Sequence, residues 1–196
     1  MAAITIRITG GDYQVFPGGE FNASVISSDD AGLPVGTDPF ATFCIELNEN
    51  ISFGRTCYAV LNTEAVNGGI GGGSPDPLDA RTAWLYEQFY NQTLAGYDFT
   101  GNPGRSEDAQ DLQNAIWALE GEKSAPTGNV FYDAAVNSGA TSIGHVRILN
   151  LYFDQALTQH AQDVLCCTTA VPVPGALLLT GLGSACISWM RRRRMV

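Results

Sequence analysis

Few side chains in this 196-residue chain could do chemistry, and their spacing narrows what that chemistry can be. Five cysteines, Cys44, Cys57, Cys166, Cys167 and Cys186, are accompanied by only two histidines, His145 and His160, and no C-x-x-C pair occurs. A structural zinc site needs four such ligands at close, regular spacing, so no metal cluster is expected. Neither histidine has a serine or cysteine in a recognisable nucleophile setting, which leaves Ser-His-Asp catalysis without support. Asp76, Asp79, Asp98, Asp108 and Asp111 could gather around calcium, but no D-x-D-x-D-G loop joins them, and scattered acids ordinarily form a solvated face. Gly68 to Gly73 lacks the Lys-Ser/Thr of a phosphate loop and reads as a flexible connection. Glu46 and Glu49 are the carboxylates a polysaccharide hydrolase would draw on, yet nothing in the sequence selects them. The chain is therefore read as a non-enzyme, with no catalytic residue, no cofactor and no metal. What remains is a thiol and a carboxamide. Cys44 lies in Phe43-Cys44-Ile45, and Gln113 lies in Leu112-Gln113-Asn114-Ala115-Ile116-Trp117. Gln113 stands four residues after Ala109 and four before Trp117, so on a helix it borders the buried face, where an amide needs a partner. The bland reading of both segments is ordinary core packing.

The elements that must position these residues follow from pattern. Ile4, Ile6 and Ile8 alternate with polar partners, Tyr13 to Phe16 and Phe21 to Ile26 repeat the alternation, and Ala41 to Leu47 and Thr56 to Leu61 read as further strands. Gly10-Gly11-Asp12, Pro17-Gly18-Gly19 and Ser28-Asp29-Asp30 supply the turn chemistry between them. Asn67 to Pro77 holds five glycines and two prolines in eleven residues, which predicts a loop. Helices are predicted over Leu78 to Tyr90, with Asp79 at the N-terminal end, and from about Ser106 to Glu120, with Ser106 as N-cap, Ala109, Leu112, Ile116 and Leu119 on one face, and Gly121 past the end. Trp84, Tyr86, Phe89 and Tyr90 could line a carbohydrate site, although helical aromatics are more often core. A short helical candidate at Phe131 to Asn137 and a strand from Val146 to Phe153 precede a polar stretch over 154 to 170. The expected fold is α+β: a β-rich single domain with two or three helices, plus a C-terminal single apolar helix. Residues 1–164 form the extracytoplasmic body, 165–171 a linker and 172–196 a tail.

Charge is distributed unevenly. Ten basic residues oppose 20 acidic ones, but Arg191, Arg192, Arg193 and Arg194 stand together at the C-terminus, which leaves six basic against 20 acidic and a body charge of −14. Such a body repels phosphate backbones, so no nucleic-acid partner is expected. From Gly175 to Met190 the tail runs 16 residues without a charge. A helix of that length spans about 24 Å, somewhat short of a hydrocarbon core of about 30 Å. It would insert marginally, with the arginines held on the cytoplasmic side and the body on the other. Cys186 falls in this apolar run. A Cys44–Cys57 disulfide is open to an oxidising compartment, but sequence cannot pair the thiols.

The segment Val171-Pro172-Val173-Pro174-Gly175-Ala176, the apolar run and the four arginines together resemble the PEP-CTERM sorting signal, with Val173 where the family name implies Glu, as in a VPxPGA variant. The resemblance covers residues 171 to 194. It implies recognition and cleavage by a membrane enzyme of the exosortase class, transit through the inner membrane across residues 175–190, and a final place at the cell surface or outside the cell. An ordinary C-terminal tail anchor is the alternative, giving a permanently membrane-anchored binding module. Met1 to Phe16 shows no basic region followed by an apolar one, so no signal peptide is visible and the N-terminus is expected to be incomplete. The segments around Cys44 and Gln113 resemble the thioester domains of bacterial surface adhesins, which carry an aromatic-Cys step early and a Q-x-A-I-W helix later. That resemblance implies a Cys44 thiol that attacks the Gln113 side-chain carbonyl, release of ammonia, and an internal thioester that an amine on a target surface can open, with Trp117 packed near the pair. The function expected is therefore an exported structural or adhesion protein of the cell surface or extracellular matrix, with exopolysaccharide or an amine-bearing surface as partner.

Overall fold

The computed structural model describes residues 4–168 apart from positions 31, 34, 37, 38, 71, 102 and 103. Eight strands and three helices follow one another as β1 (Ile4–Gly10), β2 (Phe21–Ser27), β3 (Phe40–Thr42), β4 (Thr56–Asn62), β5 (Glu64–Ala65), β6 (Asp76–Pro77), α1 (Ala80–Tyr90), α2 (Gly104–Leu119), α3 (Val130–Asn137), β7 (Val146–Tyr152) and β8 (His160–Cys167). Six of the strands form one antiparallel sheet in the order β3-β2-β1-β4-β7-β8, and β5 pairs with β6 in a small separate ribbon. The fold is thus β-rich with three helices. The expected apolar C-terminal helix, the sorting motif and the arginine cluster lie outside the described residues, and among those described no helix is long and apolar enough to cross a membrane.

The six-stranded sheet curls until its two edges meet. Just past β3 the chain leaves β2 and joins β8: the Ile45 N–H donates to the Asp163 carbonyl (3.0 Å) and the Leu165 N–H to the Phe43 carbonyl (3.2 Å), with Cys44 opposite Val164. This change of partner is why β3 itself stops at Thr42, although the sequence reads as one strand from Ala41 to Leu47. Inside the curl, Ile4, Ile6 and Ile8 pack with Phe21, Ala23, Cys57, Ala59, Leu149, Val164 and Cys166. The period of two therefore buries one whole face of β1. On the outside, α1 packs on β7 and β8 with α2 and α3 against it, and Val146, Ile148 and Leu165 share one core with Leu85, Tyr86, Phe89, Leu112, Ile116 and Phe131. Both faces of β7 and β8 are buried, and that is why their sequences do not alternate cleanly.

Three expectations need correction. Tyr13 to Phe16 is a turn rather than a strand, closed by a Val15–Gly18 bridge, and Phe16 is 89% exposed. Helix α2 starts at Gly104, so Ser106 lies inside its first turn and does not cap it. The stretch after Phe153 is not all linker: β8 carries the sheet to Cys167, three residues past the expected body boundary at 164. By contrast, the Asp79 side chain does cap α1, accepting the Arg81 N–H at 2.7 Å, and Gly121 follows α2 with φ of +84°.

Candidate functional site

At the seam where the sheet closes, the backbone of Cys44 faces away from β8. Its neighbours Phe43 and Ile45 make the two bonds to β8, and in an antiparallel pair that leaves the N–H and C=O of the residue between them pointing to the other side. Those two groups would be orphaned in the interior, at a cost of about 1–3 kcal/mol each. Gln113 satisfies both. Its Oε1 accepts the Cys44 N–H at 3.1 Å, and its Nε2 donates to the Cys44 carbonyl at 2.9 Å. The carboxamide thus occupies the place of a further strand, docked on the residue that carries the thiol. Gln113 is fully buried and Cys44 is 4% exposed.

Helix α2 delivers the amide because its buried residues fall on two sides. Ala109, Leu112, Ala115, Ile116 and Leu119 join the helical layer, whereas Trp117, one turn after Gln113, packs in the interior of the curled sheet together with Cys44. Gly18 closes over both. A Cβ at this position would overlap Gln113 Cγ and come within 2.8 Å of Trp117 Cη2, so only glycine lets the Pro17-Gly18-Gly19 turn lie against the amide. Gly19 follows with φ of +100°. Beyond the turn, Gln14, Phe16, Pro17, Phe21, Glu49 and Phe53 border a pocket of about 100 Å³ with Cys44 on its wall. The thiol is thus buried, yet it adjoins a small opening.

No family model, curated protein or solved structure matches this chain. What the site can do must therefore be read from its own atoms.

All four described cysteines, Cys44, Cys57, Cys166 and Cys167, are free, so the Cys44–Cys57 bridge is not made and the Cys44 thiol is available. Burial first, and the Glu49 carboxylate second, push that thiol far above its ordinary range and keep it neutral. The Gln113 carbonyl is polarised in turn by the Cys44 N–H, which stands where an oxyanion donor would act if the thiol added to the amide carbon.

Sequence reading missed the group behind the pocket. His160, expected in a linker, opens β8, and its ring is held between two carboxylates: Nδ1 lies 3.1 Å from Glu49 Oε1 and Nε2 lies 2.8 Å from Asp163 Oδ1. Ligand atoms of these three residues fall within 4.8 Å of one another, as in a metal site. Both ring nitrogens, however, point at carboxylate oxygens, an arrangement that wants an imidazolium donating twice rather than a lone pair aimed at an ion. Burial alone would lower the His160 pKa, but the hydrogen bonds and charges of Asp163 and Glu49 outweigh it and raise it to about 9. Tyr152 of β7 covers the ring edge-on. A histidine pKa raised on folding stabilises the native state fully below about 6.5, and that contribution is lost as pH climbs through about 9. Between those values the wild type should lose on the order of 3 kcal/mol more than His160→Gln, measured by urea unfolding across pH.

The remaining sequence candidates do not converge. Asp79 is spent on Arg81, and Asp108 accepts the Asp98 N–H. Tyr86 and Phe89 are core, while Phe89 and Tyr90 border a separate pocket of about 320 Å³ with Glu20 and Arg105. Glu46 and Glu49 diverge: Glu49 joins His160, while Glu46 is buried beside Glu122. Val171, Pro172, Pro174, Gly175, Ala176 and Arg191 to Arg194 lie outside the described residues.

Proposed function

We propose that this protein is an exported surface or matrix-associated adhesion protein that forms an internal Cys44–Gln113 thioester and uses it to attach covalently to an amine-bearing surface. The observation that carries this reading is the docking of the Gln113 carboxamide on the backbone of Cys44 through two hydrogen bonds. Formation is balanced without a co-reactant. Cys44 Sγ adds to Gln113 Cδ, the C–N bond breaks, and the thiol proton leaves with the amide nitrogen as ammonia. Opening by a primary amine forms an amide at Gln113 and returns the Cys44 thiol. One bond is made per molecule, so the protein is an attachment device and not a turnover enzyme. The resemblance of residues 171 to 194 to a PEP-CTERM signal supports delivery through the inner membrane and processing by an exosortase-type enzyme. The acidic body suits a polycationic or amine-bearing target more than a polyanionic one.

The test is covalent capture. Beads bearing primary amines should retain wild-type protein through washing in denaturant, and Cys44→Ala and Gln113→Glu should both be released. Equal retention of Cys44→Ala would reject covalent attachment through this site.

A further inference from the structure

A second constellation lies two residues beyond Cys44. Glu46 is 1% exposed, and neither of its carboxylate oxygens has a hydrogen-bond partner. A carboxylate buried to this degree is paired with a cation, coordinates a metal or gives up its charge. Among the described residues, no ion pair or hydrogen bond joins it to a cation. Arg81 is bound to Asp79, Arg105 to Glu20 and Lys123 to Asn114, and the charged groups acting on Glu46 are Glu122, Glu49, Asp163 and Asp76, all acidic. His160, which pairs with two of those acids, is already clamped between Glu49 and Asp163.

Glu122 is 3% exposed and is aimed by two backbone donors: the Leu47 N–H reaches Oε2 at 3.1 Å and the Ile70 N–H reaches Oε1 at 2.7 Å. The Glu46 and Glu122 carboxylates then face each other at Gly69, where an added Cβ would overlap Oε2 of both. Gly69 has φ of +46°, and the absence of a side chain leaves the two carboxylates room to face each other. Asp76 brings a third carboxylate against Gly72, and its charge is felt at Glu46.

We infer that Glu46 and Glu122 bind a hard divalent cation of the calcium class at Gly69. Two buried carboxylates of like sign, one with every oxygen unpartnered, form a donor set of oxygen alone. That set disfavours zinc, which favours nitrogen and sulfur. It suits calcium better than magnesium, which dehydrates reluctantly and demands octahedral geometry. The ion would also tie together the two chain segments that matter most: Glu46 follows Cys44 by two residues, and Glu122 follows the helix that carries Gln113. This inference does not depend on the thioester, because it rests on the burial of Glu46 and on the two backbone N–H groups that aim Glu122.

The experiment uses the full chain, stripped with a chelator and titrated with calcium chloride, magnesium chloride or zinc chloride by calorimetry and thermal unfolding. Calcium should bind once per chain with a dissociation constant of roughly 10⁻⁵ to 10⁻³ M and raise the melting temperature. Glu46→Gln, which keeps the shape, should weaken binding at least tenfold. Asp76→Asn should weaken it less, and Glu107→Gln, on the first turn of α2, should leave it unchanged. Should Glu46→Gln fail to fold, Asp76→Asn together with the wild-type stoichiometry decides. The inference is overturned by no calcium response at millimolar concentration, by zinc binding tighter than calcium, or by equal calcium affinity in Glu46→Gln. It is equally overturned if Glu46→Gln is more stable than wild type with no calcium effect on either, which would mean that Glu46 is simply a buried neutral acid.

Discussion

Relative to the chain with its amide intact, replacing Gln113 with alanine should cost roughly 3 to 5 kcal/mol of unfolding free energy, a large share of a typical domain's stability. The Cys44 N–H and carbonyl would lose their partners in a place water does not reach, and the space left by the amide adds a cavity term. Gln113→Glu separates the two hydrogen bonds. The glutamate still accepts from Cys44 N–H but, when ionised, cannot donate to the Cys44 carbonyl, and its charge lies against that oxygen. Its loss should therefore grow as pH rises through the carboxylate range. Urea unfolding at two pH values measures both effects, and a cost below about 1 kcal/mol for Gln113→Ala would show that the docking seen at the seam is not maintained.

Arg105→Ala should be comparably severe, at about 3 kcal/mol or more. Arg105 holds Glu20 with two bonds, Nε to Oε2 at 2.9 Å and Nη2 to Oε1 at 2.7 Å, and Tyr97 adds a third at 2.7 Å. The guanidinium also lies over the Tyr13 ring, 4.4 Å from its centroid. Glu20 side-chain exposure is only 6%, so removing the arginine strands a buried carboxylate. The consequence is local as well as global. Glu20 directly follows Gly18 and Gly19, so the ion pair anchors to α2 the very turn that covers Gln113. In protein opened by methylamine, whose Cys44 thiol is free, Arg105→Ala should therefore also speed modification of Cys44 by a thiol reagent at least tenfold, whereas Arg105→Lys, which keeps the charge but not the fork, should fall between. An unchanged rate of thiol modification would mean that the turn is held by Gly18 packing alone.

Much of this architecture is legible in the residues. The Ile4, Ile6, Ile8 alternation gives β1 and its buried face, and the Ala109, Leu112, Ile116, Leu119 period gives α2. The same periodicity misleads at Tyr13 to Phe16, where neighbouring glycines and Pro17 make a turn and leave Phe16 in solvent. Strand β8 was hidden for the opposite reason. Its half-buried His160 and buried Gln162 and Asp163 look like loop residues, but each is satisfied by a partner far away in sequence: Gln162 by the Glu46 carbonyl, Asp163 by the Val66 N–H, and His160 by Glu49. Polar residues satisfied at long range leave no local pattern. Gln113 was legible as a buried amide in need of a partner. That the partner is the backbone of Cys44, 69 residues away, depends on how the sheet closes, which no window of sequence contains. The Glu46 and Glu122 pairing was invisible for the same reason, since the loop at Gly69 brings them together.

The central claim is most directly tested by the intact mass of the full chain under non-reducing conditions, before and after exposure to methylamine. The account predicts a native mass short of the sequence value by one ammonia, an N-methyl amide mapping to Gln113 after treatment, and full sequence mass with no adduct in Cys44→Ala. A wild-type mass equal to the sequence value, unchanged by methylamine, would contradict it and leave Gln113 as a structural clasp on a buried strand.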